Sequence, residues 1–166
     1  AVLLYGKLLQ EDGKYHESIK VLERSCSFAL DNLDAIKALA FAYQKLGELD
    51  QAEIYLKKAL SLDENNEQIN LDYAVVKIRS RHPDLAIKHI NQHLSDYSDS
   101  PMALGVLGWA YLELGNYDKA EELLLEAENL DALNTLVLKS LATLYSRNGK
   151  REEAKQYLER FNELSD

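Results

Sequence analysis

The chain has 166 residues, enough to bury the core of one ordinary domain, and its 46% hydrophobic and 28% charged residues are those of a globular protein rather than a disordered one. A formal net charge of −9 sets up a field that repels polyphosphates and anionic lipid, which argues against nucleic acid and membrane surfaces as partners. One cysteine, Cys26, cannot form an intrachain disulfide, and there is no Cys/His ligand set to hold a structural metal.

Leu, Ala, Glu and Lys dominate and β-branched runs are missing, so the expected class is all-α. The longest apolar stretch, Met102 to Leu112, falls short of the roughly 20 residues that cross a bilayer, so no membrane insertion is expected. The sequence opens at Ala1 inside a helical pattern and reads as a fragment of a longer chain. The lone cysteine leans toward a reducing, cytoplasmic compartment and leaves a periplasmic or exported one open.

In chain order the pattern is a repeat. An apolar helix leads to Gly13, and a second helix returns through Ser18 and Leu22; the same sequence of features recurs at Gly47, Ala52 and Leu56. The third copy carries Arg81 in place of the glycine, then Ala86 and Ile90. Gly115 with Ala120 and Leu124, and Gly149 with Ala154 and Leu158, complete five copies at a stride of 34 residues without insertion. Seven positions before each turn stands a small residue: Gly6, Ala40, Ala74, Gly108 and Ala142. The glycines permit φ > 0 and end each first helix. The small pair, such as Gly108 with Ala120, lets the two helices of a hairpin approach closely. Asn32, Asn66, Ser100 (followed by Pro101) and Asn134 stand where N-caps are needed. The third copy departs further: Lys77 takes the slot of Tyr43, Tyr111 and Tyr145.

Leu107, Gly108, Tyr111, Gly115, Tyr117, Ala120, Leu124 and Ala127 make the chain resemble a tetratricopeptide repeat (TPR) protein, with Leu104 in place of the usual Trp and Glu64 in place of the usual Pro. The resemblance implies one solenoid domain over residues 1–166, a right-handed α-α superhelix with repeats at about 1–32, 33–66, 67–100, 101–134 and 135–166. It also implies a concave groove lined by the first helices, where a peptide or partner helix docks. The clamp with which some family members hold chaperone C-terminal tails needs Asn and Arg at slots that here hold Leu3, Ala38, Gln68 and Asp72, so such tails are not expected ligands.

The best binding signal is a second apolar stripe, Met102, Gly105, Trp109 and Leu112, on a helix whose Leu104/Leu107/Tyr111 face already serves the fold. Carried to the other repeats it gives a groove floor of Phe41, Val75, Ile78, Met102, Trp109 and Leu112. Lys7, Lys37, Lys45, Arg79, Lys139 and Arg147 fall on groove slots against only Glu11, Asp34 and Glu113, a positive rim on an acidic protein. Lys37, Lys45, Arg79 and Arg147 are the expected steering charges, and the expected partner is a protein or peptide with apolar and acidic side chains.

Chemistry has little footing. His89 and His93 are spaced for one helix face, with Asp96 a turn further on, but no HExxH pattern accompanies them, so neither a metal nor another cofactor is expected. Nucleophile elbows and glycine-rich phosphate loops are missing, and paired acids such as Glu121-Glu122 read as solvated faces; the chain is expected not to be an enzyme. Cys26 occupies a slot that is normally apolar and reads as a buried small hydrophobe. The ends, Val2, Leu3 and Leu4 on one side and Phe161 and Leu164 on the other, lack polar caps. The alternative reading is therefore a self-assembling structural subunit, a homo-oligomer joined through its solenoid ends.

Overall fold

A computed structural model describes residues 2–28, 32–93 and 99–164 and resolves them into ten α-helices and no strand. They fall into two compact units, one ending at Ser80 and the other starting at Arg81. The first holds α1 (Val2–Glu11), α2 (Tyr15–Phe28), α3 (Leu33–Leu46), α4 (Leu49–Leu62) and α5 (Glu67–Arg79). The second holds α6 (Pro83–His93), α7 (Pro101–Glu113), α8 (Tyr117–Leu130), α9 (Thr135–Arg147) and α10 (Arg151–Glu163). Odd-numbered helices are the first members of the repeats and even-numbered ones the second.

Local chemistry sets the helix ends. The side-chain oxygens of Asn32, Asn66, Ser100 and Asn134 accept the N–H groups of Ala35, Ile69, Ala103 and Val137 at 3.1 to 3.3 Å, satisfying a donor that an uncapped helix leaves bare. Asn116 caps α8 in the same way, from Oδ1 to the Lys119 N–H. Gly13, Gly47, Gly115 and Gly149 all take φ between 73° and 77°, and the residue after each donates back into its first helix, as in Glu48 N–H to Tyr43 O at 2.9 Å. Arg81 keeps that geometry without the freedom of glycine: its φ is 65°, the one positive value at a non-glycine among the described residues.

The small-residue slots do what the spacing predicts. A Cβ on Gly108 would lie 2.6 Å from Leu124 Cγ, and one on Gly6 would lie 2.5 Å from Leu22 Cδ2, so each hairpin closes through a missing methyl. Opposite Gly6, Ser18 is buried and donates its hydroxyl to the Gly6 carbonyl at 2.8 Å. Leu22, Leu56, Ile90 and Leu124, at one repeat slot, are each enclosed in the core of their own unit. In the third repeat Lys77 fills the tyrosine slot by lying over the Tyr73 ring and pairing with Glu53 Oε1 at 2.7 Å. No helix of the described residues is long and apolar enough to cross a membrane.

Candidate functional site

Two clefts lie on the first helices. In the first unit, α1, α3 and α5 border an open cleft of about 550 Å³, lined by Lys7, Gln10, Glu11, Asp34, Lys37, Ala38, Phe41, Gln68 and Asp72. In the second unit, α7 and α9 border a tighter one of about 200 Å³, lined by Trp109, Leu112, Glu113, Leu136, Lys139, Ser140 and Thr143.

These two clefts are one design used twice. Every lining residue of the second sits three repeats after a lining residue of the first: Trp109 after Lys7, Leu112 after Gln10, Glu113 after Glu11, Leu136 after Asp34, Lys139 after Lys37, Ser140 after Ala38 and Thr143 after Phe41. The glutamate and the lysine are the same in both. One aromatic ring serves each cleft, from α3 in the first and from α7 in the second. The second is the more apolar, with Leu112 and Leu136 where the first has Gln10 and Asp34.

Phe41 is exposed, with its ring edge-on to Tyr15 at 6.3 Å and the Lys45 ammonium 5.2 Å above it. Trp109 is half-buried and Met102 exposed. Leu112 is buried and forms the floor of its cleft. Ile78 is buried and Val75 half-buried, and neither lines the two clefts. Gly105, in the same stripe, faces α9: a Cβ there would lie 2.9 Å from Val137 Cγ2, so the stripe is spent in part on drawing α7 and α9 together.

The four steering cations divide into two kinds. Lys37 lines the first cleft and Lys45 covers Phe41. Arg79 and Arg147 are tied into the fold. Arg79 Nη1 donates to the Gln44 carbonyl at 3.0 Å, and Arg147 Nη1 donates to the Leu112 carbonyl at 3.2 Å while Nη2 meets Glu113. Each thus serves the last turn of the first helix one repeat earlier.

Asp72 is a cleft residue that charge counting left out. It accepts from Gln68 Nε2 at 2.9 Å, and burial pushes its carboxyl above the ordinary value against the pull of Gln68 and the Lys37 ammonium. Its repeat slot is that of Ala38 and Ser140, both of which line clefts, so the period alone marks it. The His89 and His93 rings lie 4.5 Å apart on α6 with their planes tilted by 34°. No group of three His, Cys, Asp or Glu side chains arranged to hold a metal occurs among the described residues; Asp96 and the Cys26 side chain lie outside them.

The family match spans residues 1–165 and is to the coatomer epsilon subunit. The chain belongs to the coatomer epsilon subunit family. The chain is also 27% identical, over 90% of its length and 28% of the other chain, to a TPR repeat-containing protein of Methanocaldococcus jannaschii. It is 29% identical, over 76% of its length and 51% of the other's, to the type IV pilus assembly protein PilF of Pseudomonas aeruginosa. The chain thus spans between about a quarter and a half of the curated relatives it matches. Among solved structures, a thermophilic TPR protein of Thermus thermophilus superposes with a TM-score of 0.84 at 20% identity, over 98% of this chain and 89% of that one. YrrB, described as a TPR protein with an unusual peptide-binding site, superposes at 0.66 and 15% identity over 98% and 84%. The repeats of this chain are therefore tetratricopeptide repeats, and its fold is the all-α TPR solenoid.

Proposed function

We propose that the chain is a non-catalytic scaffold that holds an extended peptide or a partner helix against its first helices, acting as one domain. The observation that carries this reading is the recurrence of one cleft at the same repeat slots in both units, each with an aromatic ring, a lysine and a glutamate. Packing alone needs neither a cleft nor a half-buried tryptophan at its edge. A partner with apolar side chains suits Trp109, Leu112 and Leu136, and its acidic groups suit Lys37 and Lys139. YrrB, whose fold this chain shares, is described by its peptide site, and PilF by a role in assembly. The test is selection of displayed peptides on the wild-type chain, followed by titration of the selected peptides into Trp109→Ala and Phe41→Ala. Affinity falling by about tenfold or more with an unchanged melting transition supports the reading. Unfolding of Trp109→Ala would make the ring a core residue and remove it.

A second reading has its own observation. Leu158 is 50% exposed, although its repeat equivalents Leu22, Leu56, Ile90 and Leu124 are enclosed, and α10 buries no residue at all. On α1, Val2, Leu4, Tyr5 and Leu8 are exposed where the matching α3 residues Ile36, Ala38, Leu39 and Ala42 are buried. These faces are those that successive repeats use to stack, and we infer that copies of the chain join through them. Sedimentation velocity over a hundredfold range of concentration, with Leu158→Glu as the control, tests it; a monomer throughout rejects it.

A further inference from the structure

The second unit has another cleft, lined by residues other than those around Trp109. In the second and fifth repeats, the first-helix tyrosine is sealed by a second-helix tyrosine. Tyr43 stacks on Tyr55 with ring centres 5.4 Å apart and planes 13° from parallel, and Tyr145 stacks on Tyr157 at 5.5 Å and 21°. Tyr43 and Tyr145 are buried as a result. The fourth repeat has the first ring of this pair, Tyr111, but its partner slot holds Leu123. A leucine lacks the flat face and the reach of a phenol. Tyr111 stays half-buried, and a cleft of about 250 Å³ opens above it between α6, α7 and α8. Its floor is Leu104, Leu107, Tyr111 and Leu123, and its rim carries Glu122 and Glu126 against one cation among the described lining residues, Lys119, which pairs with Glu122 at 2.8 Å.

We propose that this cleft receives one aromatic side chain of a partner protein, which stacks on Tyr111 in the place that Tyr55 and Tyr157 fill in the second and fifth repeats. The volume is sufficient, since an apolar cavity of roughly 150 Å³ already admits a benzene ring. The surplus of carboxylates on the rim selects a ring flanked by basic residues. The chain itself supplies the precedent for the geometry, at two other repeats, so the occupant's chemistry follows from what the same frame accepts there.

The experiment uses two blocked pentapeptides, Gly-Lys-Tyr-Lys-Gly and Gly-Lys-Leu-Lys-Gly, titrated into the chain carrying ¹³C-labelled leucine methyls. The tyrosine peptide is expected to shift the Leu104, Leu107 and Leu123 methyls saturably and to bind about tenfold more tightly than the leucine peptide, a ratio worth about 1.4 kcal/mol. In Leu123→Tyr the chain's own ring fills the cleft, and the shifts should vanish while the fold persists, because the second and fifth repeats fold with tyrosine there. Should Leu123→Tyr lose its cooperative melt, Tyr111→Leu is read in its place, with binding again expected to vanish. No saturable shift in the wild type, equal affinity for both peptides, or undiminished binding to the folded variant overturns the proposal.

Discussion

Arg147 Nη1 donates to the main-chain oxygen of Leu112 at 3.2 Å, and two repeats earlier Arg79 does the same for Gln44. The carbonyls at the end of an α-helix lack intrahelical donors, and a cation there also meets the negative end of the helix dipole. Arg147→Ala is therefore expected to cost about 1 kcal/mol of stability, since the side chain is partly exposed and its bonds compete with water. Urea unfolding measures this. An arginine that served partner steering alone would leave the midpoint where it was.

Arg81 occupies a backbone position that four other turns give to glycine. Holding an L-residue at φ 65° costs roughly 1 to 2 kcal/mol, and glycine gives back part of that through its freer unfolded chain. Arg81→Gly is expected to stabilise the chain by about 0.5 to 1 kcal/mol in the same urea assay. Gly115→Arg, the reverse change in the next turn, should destabilise it.

Much of the fold was legible because its determinants are local. A glycine at a turn, an asparagine at an N-cap and a missing side chain at Gly108 each act through atoms within a few residues or across one hairpin. The binding surface was less legible. Helical periodicity shows that Trp109 and Leu112 share a stripe, but not that α9 closes over Gly105 and leaves Leu112 as a floor. Arg79 and Arg147 read as free charges because a main-chain acceptor 35 residues away has no side-chain signature. The repeat period puts Asp72 in the slot of Ala38 and Ser140, but its raised carboxyl comes from burial, which residue type does not show.

Gly108→Ala tests the close approach of α7 and α8. The added methyl would lie 2.6 Å from Leu124 Cγ and 3.4 Å from the Ala120 carbonyl oxygen, and Leu124 is fully enclosed with little room to retreat. Overpacking of this kind costs about 1 to 3 kcal/mol, and the gain in helix propensity from glycine to alanine returns about 1. A net loss of about 1 kcal/mol is expected by thermal or urea melting. A stabilised variant would show that the hairpin can relax without loss.

Glu53 makes its own contribution to stability pH-dependent, with a definite sign. Burial alone would raise its carboxyl, but Lys57 and Lys77, both 2.7 Å from Oε1, outweigh it and hold the group below its ordinary 4.5. A carboxyl with a depressed folded value contributes stability that is present above its unfolded value and lost as pH falls through the folded one. Glu53→Gln strands the Lys77 ammonium, which lies largely buried over Tyr73, and is expected to cost about 1 kcal/mol at neutral pH. The gap between the urea midpoints of the two proteins should begin to narrow as pH falls below about 4.5 and close once pH passes the lower folded value, because protonation does to the wild type what the substitution did to the variant. A gap that stays constant with pH would assign the loss to packing and not to charge.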